Sequence, residues 1–281
     1  MKTCLIVTTC FLVLCSHTTS LYAQEPLRFA PLVPMSKEYT TLQFANFCVT
    51  LAKITKRDVN LVLLENYADI LNALAENTLD LAYLGPLPYV IATQRNPHIT
   101  PLVRFLDQTG ETEYTCALVA FGSSELPPDI TSVALTQPYS TCGFLVTESL
   151  LHHYDLSLES TPYTYSGNHE HAALAVIRGY ASVAGVKTSI AREYANLGLN
   201  ILLQSEPVPG FVLVGNSATL SSAELQHLRD ELLKGAQTPG AVFTKKPEDA
   251  ITKHGVIPVA DEDYDGIRQM LHDHPVPELA L

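Results

Sequence analysis

The chain has 281 residues, of which 47% are apolar and only 16% are charged, and its mean hydropathy is +0.13. This composition excludes a disordered chain, which would be poor in apolar residues and rich in charge. The formal net charge of −12 argues against a nucleic-acid-binding domain, because such domains carry an excess of basic residues.

The N-terminus has the pattern of a secretory signal peptide. Lys2 supplies a positive start, and residues 4–15 form an uncharged apolar run that is too short to span a bilayer core of ~30 Å. Ala23 is a small residue at a suitable cleavage position. We therefore predict that residues 1–23 are removed and that the exported chain starts at Gln24. Since Lys2 is the one charged residue lost, its net charge becomes −13.

Stretches of strand and helix pattern alternate along the rest of the chain. Strands are predicted at residues 27–32, 59–64, 79–84, 99–106, 114–121, 132–135, 181–186, 200–204 and 210–214. Helices are predicted at residues 37–55, after a cap at Asn66, and at 88–94, 143–154, 169–178, 188–197, 221–234 and 261–272.

Strands that alternate with short helices predict an α/β fold with parallel sheets built from βαβ units. Two such blocks are separated by β-type runs near residues 114–121 and 210–215, which predicts two lobes joined by a double hinge. Residues 24–115 and 215–281 would form the first lobe, and residues 116–214 the second. Ligands of such folds bind in the crevice at strand ends and helix N-termini.

A long central stretch has no basic side chain: residues 105–177 contain neither Lys nor Arg. An anion bound there must use hydroxyl and backbone N–H groups, which helix N-termini present together with a partial positive charge. Residues 138–143 (Pro-Tyr-Ser-Thr-Cys-Gly) have this pattern, and Gly143 is expected to let a ligand approach the backbone closely. An ordinary capped helix start would show the same residues.

Four motifs follow one another along the chain. They are Asn-Tyr-Ala-Asp-Ile at residues 66–70, Leu-Asp-Leu-Ala-Tyr-Leu-Gly-Pro at 79–86, Pro-Tyr-Ser-Thr-Cys-Gly-Phe at 138–144 and Gly-Asn-His-Glu-His-Ala at 167–172. In this order they resemble the periplasmic phosphonate/phosphite-binding proteins of ABC transporters, over residues 27–270. The resemblance implies a type 2 periplasmic binding fold, a monomer that closes on a small oxyanion and delivers it to a membrane permease. It implies no cofactor and no metal.

The resemblance also implies roles for individual side chains. Ser140, Thr141 and the residue at position 142 would hold the anionic head of the ligand at the helix start. Tyr67 and Tyr114 would donate their hydroxyl groups from the first lobe and the hinge.

His169 and Glu170 would line the far wall of the cleft. In relatives that bind amino-phosphonates, an acid at the position of Glu170 contacts the ligand amine. A second acid of those relatives falls near residues 185–187, where this sequence has Gly-Val-Lys and no carboxylate. The family usually has Ser where this chain has Cys142, and a further cysteine, Cys116, follows Tyr114 by two residues.

The cysteines leave two other readings open. Cys48, Cys116 and Cys142 remain after the signal, and an odd number cannot all pair within the chain. A related branch of the family comprises periplasmic arsenite-binding proteins that signal to a sensor histidine kinase, and Cys116 and Cys142 would lie near the cleft. As small buried residues, the same cysteines would have no binding role.

An enzyme is the third reading. It would use Cys142 as nucleophile with His169 or His171 as base, and these side chains would have to meet in space. The sequence lacks the common motifs of nucleotide-binding proteins, hydrolases, metalloproteases and thiol oxidoreductases, so we expect no enzyme activity.

Overall fold

The computed structural model describes residues 25–32, 36–237 and 251–275. The predicted signal peptide, residues 1–23, lies outside these ranges. No helix in the described part of the chain is long and apolar enough to span a membrane.

The strands and helices follow one another in alternation. The strands are β1 Leu27–Pro31, β2 Val59–Leu61, β3 Leu81–Leu84, β4 Ile99–Phe105, β5 Glu113–Tyr114, β6 Cys116–Phe121, β7 Val133–Leu135, β8 Tyr163–Tyr165, β9 Val183–Lys187, β10 Leu199–Gln204, β11 Val208–Pro209, β12 Val212–Asn216 and β13 Val256–Ile257. The α-helices are α1 Lys37–Thr55, α2 Tyr67–Ala75, α3 Pro86–Arg95, α4 Thr147–His152, α5 His169–Ile177, α6 Thr188–Glu193, α7 Ser222–Gln237 and α8 Asp265–Asp273.

Two mixed sheets organise the chain. The first has the order β13-β4-β12-β3-β1-β2 and the second the order β10-β6-β9-β7-β8. We call the elements around these sheets the first lobe and the second lobe. The βαβ units pair in parallel, as expected, in β1 with β2 and β3 and in β7 with β8 and β9. The strands next to the crossings, β6 and β12, pair antiparallel to their neighbours because the chain enters and leaves each lobe there.

The two crossings between the lobes pair with each other. β5 and β11 form a short antiparallel ribbon in which Tyr114 lies opposite Val208. The predicted run 114–121 is therefore two strands, one in this ribbon and one in the second lobe. Gly210 follows the ribbon, and an added Cβ would lie 2.8 Å from the carbonyl oxygen of Phe105. The close backbone approach at the hinge thus requires glycine there. The exact lobe boundaries stay a prediction, although β12 joins the first sheet from Val212 onward.

Polar side chains begin the helices as the sequence predicts. The side chain of Asn66 accepts a hydrogen bond from the Asp69 N–H at 2.9 Å, and that of Asn168 accepts one from His171 at 2.8 Å. Such caps satisfy backbone groups that have no partner inside the helix. The segment predicted as a helix over 143–154 starts earlier, as a π-helix over Thr141–Val146 that continues into α4.

A disulfide joins the second sheet to this π-helix. Cys116 of β6 and Cys142 are bonded, with their Cα atoms 5.2 Å apart, and both residues are buried. Among the described residues Cys48, on α1, is the free cysteine, and burial raises the pKa of its thiol to about 11. The odd cysteine count is therefore resolved as one internal pair and one inert thiol.

Gly185 of β9 lies where no side chain fits. An added Cβ would fall 1.5 Å from the Oγ1 atom of Thr147, which itself donates to the Cys142 carbonyl at 2.7 Å. We expect Gly185→Ala to lower the free energy of unfolding by about 1–3 kcal/mol, because it overpacks this contact. Urea unfolding measures the change.

The matched control is Gly266→Ala in α8, where an added Cβ meets nothing within 4 Å. It should leave stability unchanged or raise it by up to ~1 kcal/mol, because alanine favours helix. Equal effects of the two substitutions would contradict the packing we describe.

The disulfide closes a loop between residues 26 positions apart. A link of this size stabilises a protein by roughly 3 kcal/mol. We expect dithiothreitol to lower the melting temperature of the native protein and of Cys48→Ala. The double variant Cys116→Ala/Cys142→Ala should melt lower from the start and not respond to reductant. The bond does not form if dithiothreitol leaves the melting temperature of the native protein unchanged and thiol titration finds both Cys116 and Cys142 free.

Candidate functional site

The start of the π-helix is held in place by contacts on several sides. Ser140 caps it, with its Oγ accepting from the Gly143 N–H at 3.2 Å. The Oγ1 atom of Thr141 accepts from the N–H of Leu87, at the start of α3 in the first lobe, at 3.0 Å. Within the described residues the N–H groups of Thr141 and Cys142 donate to no protein acceptor. Free N–H groups at a helix start are suited to bind an anion.

The structure gives Gly143 a role in packing that the sequence did not indicate. An added Cβ would lie 2.1 Å from the Oγ1 atom of Thr136, which directly follows β7. The close packing of the helix start against the strand therefore requires glycine here. That a ligand also approaches its backbone stays a prediction.

Tyrosine hydroxyls approach this helix start from the first lobe and the hinge. The Thr141 side chain lies near the Tyr114 hydroxyl, and its influence on the pKa of Tyr114 is opposite to that of burial. Tyr67, only 5% exposed, lies close to Tyr114 and Tyr83, and within the described residues its hydroxyl has no hydrogen-bond partner. Burial raises the pKa of Tyr67 and of Tyr114, so both keep their O–H hydrogens. They can donate to an anion but cannot repel it as phenolates.

His169 and Lys187 complete the group from the second lobe. The backbone N–H of Lys187, at the end of β9, donates to the Nδ1 atom of His169 at 3.3 Å. Burial, with the adjacent Lys187 charge, lowers the pKa of His169 to about 3, so the ring is neutral. Because Nδ1 accepts, the ring hydrogen must be on Nε2, which makes His169 a fixed donor.

The Lys187 ammonium lies against the hinge. Its Nζ atom is 4.3 Å from the centre of the Tyr114 ring and 4.8 Å from that of Phe211. Burial lowers the pKa of Lys187 to about 8. Phe211 in turn stacks on Tyr83 of the first lobe, with ring centres 4.9 Å apart. A cation and an apolar wall thus meet at the hinge.

The structure brings together most of the residues named from the sequence. Tyr67 and Thr141 both lie near Tyr114, and Ser140 is the chain neighbour of Thr141. His169 is linked to Tyr114 through Lys187, whose N–H donates to the imidazole and whose ammonium lies over the Tyr114 ring. We call these residues, with Lys187, the cleft group.

For the remaining candidates the described contacts are less direct. The charge of Glu170 contributes to raising the pKa of Tyr194 near α6, and its place at the far wall of the cleft stays a prediction. Cys116 and Cys142 lie next to the cleft group, but each sulfur is bonded to the other. Neither is a thiolate, so the pair provides neither an enzyme nucleophile nor a ligand for arsenite in this form.

Lys187 and Phe211 were missed by the sequence reasoning. The absence of basic residues over 105–177 suggested an anion site without a cation, yet Lys187 comes from the next strand. Its place between a strand and a helix was the available signal, because ligands of α/β folds meet the strand ends. Phe211 follows the hinge ribbon, where no pattern marks a binding residue.

Hydrogen-bond donors dominate the cleft group. Ser140 Oγ, Thr141 Oγ1 and His169 Nδ1 each already accept a bond from a backbone N–H. The hydroxyl groups of Thr141, Tyr114 and Tyr67 each carry a hydrogen that can be donated to a ligand. The hydrogens that remain, and the ammonium, are complementary to a ligand that accepts hydrogen bonds and carries negative charge.

Comparison with known proteins agrees with this chemistry. Residues 30–264 match the family described as ABC transporter, phosphonate, periplasmic substrate-binding protein. A curated relative, the phosphate-import protein PhnD of Mycolicibacterium smegmatis, is 26% identical over 253 residues, which cover 78% of this chain and 77% of the relative.

Solved structures show the same fold. PhnD1 of Prochlorococcus marinus, in complex with methylphosphonate, superposes with a TM-score of 0.72 at 15% identity, over 89% of this chain and 98% of that one. The binding component of an ABC phosphonate transporter from Pseudomonas aeruginosa gives 0.69 at 20% identity, over 88% and 86%. With the family match spanning most of its length, this chain belongs to the periplasmic phosphonate substrate-binding proteins of ABC transporters.

Proposed function

We propose that the protein captures a small phosphorus oxyanion of the phosphonate or phosphite type between its lobes and delivers it to the permease of an ABC transporter. The observation that supports this most is the donor character of the cleft group. The Oγ atom of Ser140, the Oγ1 atom of Thr141 and the Nδ1 atom of His169 each accept a backbone N–H, so both hydroxyl hydrogens and the Nε2–H of His169 can be donated to a ligand. A tetrahedral oxyanion supplies acceptor oxygens in several directions at once.

The relatives support the same ligand class. One is described as a phosphate-import protein, and another was solved with methylphosphonate bound. We extend this class to the present chain because its cleft group has the matching chemistry. Export by removal of residues 1–23, a periplasmic location and a monomeric state complete the proposal.

Binding would work through lobe closure. The β5–β11 ribbon is the paired crossing about which the lobes can rotate. Tyr67 belongs to the first lobe, whereas Ser140, Thr141 and His169 belong to the second. A ligand that contacts both sides stabilises the closed arrangement by its higher affinity for it. The permease would then distinguish loaded from empty protein by shape.

An arsenite sensor finds less support. It needs thiolates in the cleft, and the cysteines there form a disulfide. Cys48, the free cysteine of the described residues, is on α1 and packs against the first lobe's own core. We therefore do not propose that function.

Tyr67→Phe tests the proposal most directly. The Tyr67 hydroxyl has no protein partner among the described residues, so its removal deletes a ligand contact without breaking a bond of the fold. Isothermal titration of the mature protein with phosphite, methylphosphonate and phosphate should show binding by the native protein. The variant should bind roughly 10- to 100-fold more weakly, the value of a hydrogen bond to a charged group.

Tyr180→Phe is the matched control, because Tyr180 is 75% exposed. It should bind like the native protein. No binding of any of the three anions by the native protein, beyond the effect of potassium chloride at equal ionic strength, would refute the proposed function. Equal affinity of Tyr67→Phe and native protein would remove Tyr67 from the site.

Closure gives a separate expectation. Small-angle scattering should show a smaller radius of gyration on saturation with the tightest of these anions. A thermal melt with ligand at 100 times its dissociation constant should show about 2.7 kcal/mol of added stability. Tight binding without compaction would contradict the two-lobe mechanism while leaving the ligand class intact.

A further inference from the structure

We propose that the Lys187 ammonium pairs with the negative charge of the ligand and makes the site select phosphorus oxyanions that carry no ammonium group of their own. This inference rests on the proposed function and deepens it, because it names the charge type of the ligand. It concerns a side chain that lies outside the four motifs of the sequence.

Within the described part of the chain, Lys187 forms no ion pair with a carboxylate. The ion pairs of the described residues join other cations to acids, for example Arg28 to Asp80 at 2.7 Å and Arg57 to Glu224 at 3.3 Å. The Nζ atom of Lys187 instead lies over the Tyr114 and Phe211 rings. Ring faces compensate a buried cation only in part. An anion placed here therefore gains more than it would at a surface lysine.

The position of Lys187 connects it to the rest of the cleft group. Its backbone N–H orients the His169 ring, and its ammonium lies 4.3 Å from the centre of the Tyr114 ring. An anion that accepts hydrogen bonds from the His169 and Tyr114 side chains would therefore lie close to the ammonium. The same side chain lies on the hinge, so a ligand that neutralises it does so where the lobes meet.

The Lys187 ammonium is the main charge of the cleft group. With its pKa lowered by burial to about 8, it is mainly protonated at neutral pH. Burial keeps the tyrosine hydroxyls and the His169 ring uncharged. The acid whose charge acts on Lys187 is Asp107, and its carboxylate already accepts from the N–H groups of Thr109 and Glu111 at 2.8 and 3.0 Å.

A second ammonium in this space would be repelled. It would meet a cation and a set of hydrogen-bond donors, with no carboxylate of the cleft group to accept from it. Like charges at contact distance in a partly buried site disfavour binding. The ligand pair that isolates this effect is ethylphosphonate and 2-aminoethylphosphonate, which differ by one ammonium group.

The experiment measures the affinity of both ligands for four proteins by isothermal titration. The native protein and the control Lys53→Met, at an exposed lysine of α1, should prefer ethylphosphonate. Lys187→Met should bind ethylphosphonate roughly 10- to 100-fold more weakly and lose most of the preference. Lys187→Glu should reverse it and bind 2-aminoethylphosphonate more tightly, a gain that damage to the fold cannot produce.

The outcomes separate the two proposals. If the native protein binds neither of the two phosphonates and also none of phosphite, methylphosphonate and phosphate, the proposed function fails. If it binds one of these three anions but not ethylphosphonate, the charge selectivity proposed for Lys187 is refuted. If it binds ethylphosphonate but Lys187→Met binds it equally well, the role of Lys187 is refuted and the function stands. A native protein that prefers 2-aminoethylphosphonate, or a folded Lys187→Glu without gain for the amine, would likewise overturn the assignment.

Discussion

The fixed position of Thr141 is the constraint on which the candidate site depends. The disulfide of its neighbour Cys142 ties it to β6, and the missing side chain of Gly143 lets the helix start pack tightly on β7. From the opposite lobe, the N–H of Leu87 reaches the Thr141 hydroxyl. A hydroxyl held in this way keeps one orientation, so a ligand loses little freedom in ordering it.

The hinge carries part of the cleft group. Tyr114 lies in the paired ribbon between the lobes, and the Lys187 ammonium lies over its ring. Movement of the ribbon would therefore move two members of the cleft group. If the proposed function holds, this arrangement couples binding to closure through direct contacts, without a relay of intermediate residues.

Local features were the predictable part of this protein. The order of residues within a short stretch of sequence was enough to predict the bounds of α1 at Lys37–Thr55. It was also enough to predict the helix cap at Asn66. The three-residue strand β8 is too short to carry a pattern of its own. The bond between Cys116 and Cys142 and the placement of Lys187 depend on residues distant in sequence. Sequence motifs could name Thr141, but only the fold shows which of its hydrogens are free.

Backbone N–H groups already donate to several side chains of the cleft group, and this affects which ligands the site can accept. A phosphonate or phosphite dianion has three acceptor oxygens and no O–H, whereas hydrogen phosphate brings an O–H that needs an acceptor. His169 cannot accept that hydrogen because a backbone N–H already occupies its Nδ1 atom, whereas the Ser140 and Thr141 hydroxyls each keep one lone pair. Under the proposed function, the number of hydrogens on the ligand would therefore matter as well as its size, and the Phe211 ring beside the Lys187 ammonium adds apolar surface to the same region.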